Sequence, residues 1–196
     1  MKSHIVTVFG SSQCPPLSAD YQIAYDLGQA IARAGWTLCN GGYGGTMEAT
    51  AKGAVEAGGH TIGVTCLIFG RSGANSYIQQ EVPTFDLFNR LNTLVRLGRA
   101  FVVLPGGTGT LVELALVWEL LNKRLLRRRA PIVLLGDHWT PIIAPILREQ
   151  PDALPLNIAP DVPTAIAVLR DAHQQEPVPM DETSLPVPDD SPSILP

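Results

Sequence analysis

A glycine-rich stretch at residues 105–110 carries the residue types best suited to chemistry in this sequence. It lies between an apolar run at 100–103 and a helix-like apolar pattern at 111–121. A glycine-rich turn at a helix start exposes backbone N–H groups and the positive end of the helix dipole, which together bind anions such as phosphate. The candidate residues of this anion site are Pro105, Gly106, Gly107, Thr108, Gly109 and Thr110.

Glu113 places a carboxylate shortly after this turn. A bound phosphate would repel that negative charge, so phosphate binding alone does not explain it. The spacing allows two interpretations. Thr110 and Glu113 match a capping box, in which side chains satisfy the first N–H groups of a helix. Alternatively, Glu113 acts on a phosphorylated sugar, as carboxylates do in glycoside hydrolysis. The spacing alone favours neither interpretation.

Two further turns follow predicted strands, one after residues 5–9 and a glycine-rich one after residues 36–40. Carboxyl ends of parallel strands meet at one edge of a sheet, where ligands bind. Neither glycine turn shows the dinucleotide-binding GxGxxG pattern at the first strand, and neither has a P-loop lysine. The alternative is that the glycines only allow close packing of helix on strand. We predict phosphate or nucleotide binding, with candidates Gly10, Ser11, Gly42, Gly44, Gly45 and Thr46.

Two arginines precede the strand at 100–103, on a helix predicted over 85–98. Arg90 could reach the same crevice as the glycine turns. The commoner alternative for both Arg90 and Arg96 is a solvated surface arginine.

The elements that must position these residues alternate between strand and helix. Strands are predicted at 5–9, 36–40, 60–65, 100–103, 131–136 and, as a short last strand, 155–158. Helices are predicted at 18–34, 46–57, 85–98, 111–121, 141–149 and 162–172. Short connections between them predict a parallel sheet with helices on its faces. Residues 66–80 have no clear period, which predicts a loop near the ligand.

Composition narrows the functional classes. The 196 residues fit one domain over 1–173, followed by a Pro- and acid-rich tail at 174–196 that is predicted to be disordered. The net charge of −4 gives no global nucleic-acid signal. No apolar run approaches the ~20 residues of a membrane span. The basic cluster at 123–129 is interpreted as a solvated helix end.

Metal and redox sites are not indicated either. Three cysteines without a CxxC pair and four scattered histidines match no metal motif, so we expect no bound metal. The start of the chain leads into a strand without a signal-peptide pattern, and we expect a cytoplasmic protein.

The nine residues from Pro105 to Glu113 contain the full pattern PGGxGTxxE, which resembles the LONELY GUY family. The resemblance extends over about residues 6–172 and includes the first turn and the second turn with Met47. Members of that family are dimeric Rossmann-like proteins. Its characterised members are cytokinin-activating phosphoribohydrolases, which cleave N6-modified adenosine monophosphates to free base and ribose 5-phosphate. The resemblance implies an α/β, Rossmann-like doubly wound parallel sheet with helices on both faces in a single domain, a homodimer and a nucleotide monophosphate substrate.

Residue roles follow from the same resemblance. Glu113 matches the catalytic glutamate and Arg90 the catalytic arginine, while Arg96 matches a second arginine of that helix. The phosphate-binding turn falls on residues 106–110. Residues 87–91 lack the Met and Lys of the usual MxxRK pattern, and this departure concerns recognition of the base. The pattern shifts the balance for Glu113 towards catalysis.

The residues and the resemblance support two hypotheses about function. The first is a nucleoside 5′-monophosphate phosphoribohydrolase that requires no metal or redox cofactor. The second is a carrier of a nucleotide-like or pterin-phosphate ligand, because the chain also resembles a molybdenum-cofactor carrier protein. A pyridoxal-dependent lysine decarboxylase is rejected, since none of the lysines Lys2, Lys52 and Lys123 is suitably placed. An apolar surplus on one helix supports a dimer, with residues Leu114, Val117, Leu121 and Leu125.

Overall fold

A computed structural model of the chain describes residues 4–126 and 130–175. These residues form a seven-stranded, entirely parallel sheet in the order β4-β3-β2-β1-β5-β6-β7. The strands are β1 Ile5–Phe9, β2 Thr37–Asn40, β3 Thr61–Cys66, β4 Gln80–Thr84, β5 Ala100–Val103, β6 Ile132–Leu135 and β7 Asn157–Ala159. The helices are α1 Ala19–Arg33, α2 Thr46–Glu56, α3 Leu87–Leu97, α4 Thr108–Asn122, α5 Thr140–Glu149 and α6 Val162–Gln174, with a 3₁₀ turn at Leu67–Phe69. The predicted fold class is confirmed.

The order of the strands reverses direction at β1. The chain builds outwards from β1 through β2 and β3 to β4, then returns to place β5 on the other side of β1. Phe9 and Val103 are partners in the register between β1 and β5, so the turns that follow both strands leave the sheet side by side. This is a topological switch point, where open α/β sheets bind ligands.

Helices cover both faces of the sheet because both faces are apolar. Val6 and Val8 of β1 belong to the core beneath α1, α2 and α6, while Phe9 belongs to the core beneath α3, α4 and α5. Strands buried on both faces are continuous apolar runs, which is why β1, β5 and β6 were predictable from sequence.

Strand β4 was not predicted. Its residues Gln80 to Thr84 form an edge strand that pairs in parallel with β3, and they include a proline and two exposed polar side chains. Edge strands tolerate proline and polar residues because only one side of the backbone must be paired. The predicted loop at 66–80 is therefore shorter, and a 3₁₀ turn occupies its start.

Two helix starts bear on the site. Helix α1 begins after Ser18, whose side chain accepts a hydrogen bond from the Tyr21 N–H. Helix α4 begins at Thr108 rather than at 111, and its N-cap is Gly107. Thr108, Gly109 and Thr110 thus form the first helical turn.

The apolar surplus predicted on α4 is wrong for most of its members. Leu114, Val117 and Leu121 are buried in the core of this chain, and only Leu125, beyond the helix, is exposed. Exposed apolar side chains lie elsewhere, on the 3₁₀ turn and at the start of α3. We call this set the apolar surface; it comprises Leu67, Ile68, Phe85 and Phe88.

The predicted tail and part of the basic cluster lie outside the described residues. Tail residues 176–196 and cluster residues 127–129 are not covered. Within the described chain, no helix combines the length and apolar character needed to cross a membrane.

Candidate active site

The turns after β1 and β2 are tied together at the carboxyl edge of the sheet. The Thr46 N–H and the Thr46 hydroxyl both donate to the Ser11 carbonyl, at 2.9 and 3.1 Å. Gly45 makes this possible, because its φ is +67° and a Cβ there would lie 2.3 Å from the same carbonyl oxygen. These contacts bring together the predicted candidates Gly10, Ser11, Gly45 and Thr46.

The turn after β5 presents an open helix N-terminus. Gly107 caps the 15-residue helix α4 without any side-chain hydrogen bond. A Cβ added at Gly107 or Gly109 would meet nothing within 4 Å, so there is open space beside the first backbone N–H groups. Since these groups have no intrahelical partner and carry the helix dipole, the turn is suited to a phosphate.

A buried ion pair lies next to these turns. The Arg90 Nη1 donates to the Glu113 Oε1 at 3.2 Å, and the two residues are only 6% and 8% exposed. The Arg90 Nε also donates to the Val64 carbonyl within β3, at 2.9 Å. The surface alternative for Arg90 is therefore wrong, and so is the capping-box alternative for Glu113, because the helix starts five residues earlier and Glu113 faces Arg90.

Burial perturbs the titration of Glu113. Desolvation raises the pKa of its carboxyl group from 4.5 to about 7, and the Arg90 guanidinium opposes part of this rise. A carboxyl group that titrates near neutral pH beside a guanidinium, at an edge of the sheet built for ligands, is a candidate for acid–base or electrostatic catalysis.

Several contacts that the sequence did not indicate hold Arg90 in place. A Cβ at Gly41 would lie 1.9 Å from the Arg90 Nη2, so only glycine leaves room for the guanidinium. The rings of Tyr43 and Phe69 each lie 5.8 Å from the Arg90 Cζ. The Tyr43 hydroxyl accepts from the Cys66 N–H at 2.8 Å and donates to the Cys66 carbonyl at 3.3 Å. Tyr43 had one available signal, as the single large side chain in a glycine turn.

A histidine that was not predicted also contacts the turn after β5. His138, which follows β6, places its Nε2 3.2 Å from the Gly106 carbonyl oxygen. Because a carbonyl only accepts, this contact requires Nε2 to carry the proton. Nothing in the sequence around His138 indicated this position.

The remaining candidates take different places. Arg96 lies exposed in the last turn of α3, about 9 Å along the helix from Arg90, and does not join the pair. The Gly42 N–H donates to the Asn40 side chain, and the Gly42 carbonyl accepts from the Asn75 side chain in the loop after β3. Gly44 faces open space, because a Cβ added there would meet only the Ser12 carbonyl oxygen, 4.0 Å away. Among the described residues, no three His, Cys, Asp or Glu side chains cluster as metal ligands.

The fold and the site define a Rossmann-like α/β protein with a buried acid–arginine pair beside a glycine-lined, nucleotide-type crevice. The chain belongs to the SLOG cluster4 family, whose model matches residues 3–143. The resemblance to LONELY GUY proteins is thereby confirmed.

Curated relatives agree with this membership. An uncharacterised protein of Archaeoglobus fulgidus is 34% identical over 137 residues, covering 69% of this chain and 87% of that protein. Cytokinin riboside 5′-monophosphate phosphoribohydrolases of Mycobacterium tuberculosis and Rhodococcoides fascians are 37% and 33% identical. The first match covers 60% of this chain and 63% of that enzyme, and the second covers 71% and 72%.

Solved structures with the same fold include proteins that bind a cofactor. The molybdenum cofactor binding protein of Rippkaea orientalis superposes with a TM-score of 0.72 and 28% identity, covering 87% of this chain and 98% of that one. The molybdenum cofactor carrier protein of Chlamydomonas reinhardtii gives a TM-score of 0.72 and 28% identity, with 89% and 100% covered.

Proposed function

We propose that this protein hydrolyses the N-glycosidic bond of a nucleoside 5′-monophosphate, either AMP or an N6-substituted AMP. Water adds across the bond, so that the anomeric carbon gains the hydroxyl of ribose 5-phosphate and the base leaves with the proton. The observation that carries this proposal is the buried Arg90–Glu113 pair at the edge where α4 presents its open N-terminus. The names of the mycobacterial and rhodococcal relatives support it.

The 5′-phosphate binds at the turn formed by residues 106–110. The open space beside Gly107 and Gly109 admits the phosphate oxygens to the backbone N–H groups, and the helix dipole favours their charge. Binding there fixes the ribose next to the first turns of α4, from which Glu113 projects.

Glu113 stabilises the positive charge that develops at the anomeric carbon and positions the attacking water, as carboxylates do in other glycoside cleavage. Arg90 assists departure of the base by donating hydrogen bonds, because a guanidinium does not give up its proton in a protein. The contact between the Arg90 Nε and the Val64 carbonyl holds the guanidinium in position for this role.

Release of free base tests the proposal directly. Purified protein is incubated with AMP and with an N6-alkyl AMP, and adenine or N6-alkyladenine is measured by chromatography. We expect base release by the natural chain, at least a hundredfold less from Glu113→Gln, and retained phosphate binding in that variant. Glu119→Gln is the matched control, since Glu119 lies on the same helix but is exposed and pairs with Lys123. Absence of base release with every substrate overturns the proposal.

A carrier function is the second candidate, and the similarity to two molybdenum-cofactor-binding proteins favours it. It predicts that a nucleotide-like or pterin-phosphate ligand co-purifies with the chain, that no base is released, and that Glu113→Gln leaves ligand affinity unaltered. Mass spectrometry of the denatured, freshly purified protein distinguishes the two candidates.

We further propose a cytoplasmic homodimer. The apolar surface supports a partner copy, because Phe88 is 82% exposed and Phe85 is 68% exposed. The three cysteines are free thiols, which fits a reducing compartment.

A further inference from the structure

A cleft of about 580 Å³ is lined in part by Tyr43, whose ring also lies near Arg90, and it has no part in the chemistry described above. Its walls are the turn after β2, through Tyr43 and Gly44, and the loop at 70–75. The loop follows β3, which lies three positions from β5 in the sheet. Three strand spacings are about 14 Å, comparable with the length of a mononucleotide. A nucleotide whose phosphate lies on the β5 turn is therefore long enough to reach this cleft with its base.

The cleft contains a preoriented cation. The Arg71 Cζ lies 4.6 Å from the centre of the Tyr43 ring, on which the guanidinium packs. A guanidinium held against an aromatic face keeps its in-plane N–H groups available for a carboxylate or phosphate. In the described part of the chain Arg71 forms no ion pair. The neighbouring carboxylate of Glu81 instead accepts a hydrogen bond from the Thr65 hydroxyl at 2.6 Å.

The walls of the cleft are fixed to the sheet. The Asn75 N–H donates to the Gly42 carbonyl at 2.7 Å, and its side-chain amide donates to the Tyr43 carbonyl at 2.8 Å. The Asn75 side-chain oxygen accepts from the Tyr77 N–H at 3.0 Å. These bonds join the Asn75 end of the loop to the turn after β2, which carries Tyr43.

Tyr43 joins this cleft to the catalytic pair. Its ring lies 4.6 Å from the Arg71 Cζ and 5.8 Å from the Arg90 Cζ. The two guanidinium carbons are therefore no more than about 10 Å apart, a distance that a mononucleotide can span. We propose that Arg71 binds an anionic group carried by the base of the nucleotide, at the end opposite its 5′-phosphate. The substrate class is then a 5′-mononucleotide with an acidic substituent on the base. This inference rests on the proposed function in one respect only, namely that the ligand is a nucleotide.

Calorimetric titration with two matched analogues tests the inference. One is AMP with a carboxyalkyl group on N6, and the other is AMP with an uncharged alkyl group of equal length. We expect the natural chain to bind the acidic analogue at least tenfold more tightly, as a charge-assisted hydrogen bond provides. Arg71→Gln should reduce the ratio of the two affinities to about one, and Arg71→Lys should keep part of it. Arg148→Gln, an exposed arginine on α5, is the control that should retain the ratio.

The outcomes separate this inference from the proposed hydrolysis. Equal affinities for the two analogues in the natural chain, or an equal loss of both in Arg71→Gln, overturn the anion site even if base is released. Charge preference without base release keeps the anion site and overturns the hydrolase. If neither analogue binds, the anion site is overturned, and base release from AMP alone then decides the hydrolase.

Discussion

Glu113 has the properties of a catalytic carboxyl group because of where its side chain is buried. Water is nearly excluded from it, and the single guanidinium beside it does not fully offset the cost of its charge. Since the carboxylate is the form that stabilises a developing cation, kcat should rise as the pH increases through about 7 and level off above it. The measurement is kcat from pH 5 to 9 at saturating AMP, because the substrate phosphate also titrates, near pH 6. A rise centred near 4.5 would contradict the burial argument.

The same shift makes stability depend on pH. Between pH 4.5 and about 7 the folded protein keeps a proton on Glu113 that the unfolded chain has released. Stability therefore falls as the pH rises through this window, by at most about 3 kcal/mol. Urea denaturation at pH 5 and pH 7.5 should show this loss in the natural chain and a smaller loss in Glu113→Gln. Glu119→Gln should behave like the natural chain.

Because Gly41 has no side chain, the Arg90 guanidinium has room beside it. A Cβ there would lie 1.9 Å from the Arg90 Nη2 and 2.6 Å from the Met47 Sδ, so Gly41→Ala must displace the guanidinium. We expect a loss of about 1–3 kcal/mol in stability, seen as a drop of about 2–4 °C in Tm for each kcal/mol, together with lower kcat. Gly44→Ala is the control for Tm, because its Cβ has only the Ser12 carbonyl oxygen 4.0 Å away. Equal Tm values for the two variants would show that Arg90 can move without cost.

At the scale of residues, the sequence indicated which residues lie at the strand ends better than it indicated which side chains contact one another. Glycines and threonines at strand ends indicated an anion site from local geometry alone. The partner of Glu113 could not be derived from spacing, because Arg90 comes from a different helix, 23 residues away in the chain. Tyr43, Phe69 and Val64 reach Arg90 only through the three-dimensional packing.

At the scale of elements, predictability follows burial. Strands β1, β5 and β6 are apolar on both faces and were found, whereas the edge strand β4 satisfies its backbone on one side and needs no apolar pattern. The start of α4 was placed too late because Thr108, Gly109 and Thr110 are poor helix formers. Their place in the first turn, which packing imposes, is what leaves the backbone N–H groups of α4 open.

At the scale of elements, Asn75 holds the loop at 70–75 against the turn after β2. Asn75→Ala removes the side-chain donations to the Gly42 and Tyr43 carbonyls and the side-chain acceptance from the Tyr77 N–H, but keeps the backbone donation to the Gly42 carbonyl. We expect a loss of about 1–3 kcal/mol and faster hydrogen exchange in the loop and in the turn after β2. Ser76→Ala, a neighbouring exposed position, is the control that should keep both properties. Unaltered exchange in Asn75→Ala would mean that other contacts hold the loop.

At the scale of the molecule, helices cover both faces of the sheet, whereas exposed apolar side chains remain near its carboxyl edge. The apolar surface continues from this edge: the Ile68 N–H donates to the Phe85 carbonyl at 3.3 Å, and Phe88 lies in the first turn of the helix that carries Arg90. Exposed apolar side chains that are grouped on a monomer favour a partner there. The site and the proposed contact between copies are thus neighbours, built on the same helix.

Association of two copies should depend on the apolar surface. If two copies bury the apolar surface, Phe88→Glu should convert the dimer to a monomer, because a carboxylate desolvated at the centre of an apolar contact is costly. Sedimentation velocity over a range of protein concentrations measures this, and circular dichroism checks that the variant remains folded. Leu17→Glu is the control, since Leu17 is 97% exposed in a loop before α1 and should leave the assembly unaltered. Because Phe88 shares α3 with Arg90, we also expect the monomeric variant to release base more slowly. A natural chain that sediments as a monomer at every concentration would overturn the dimer.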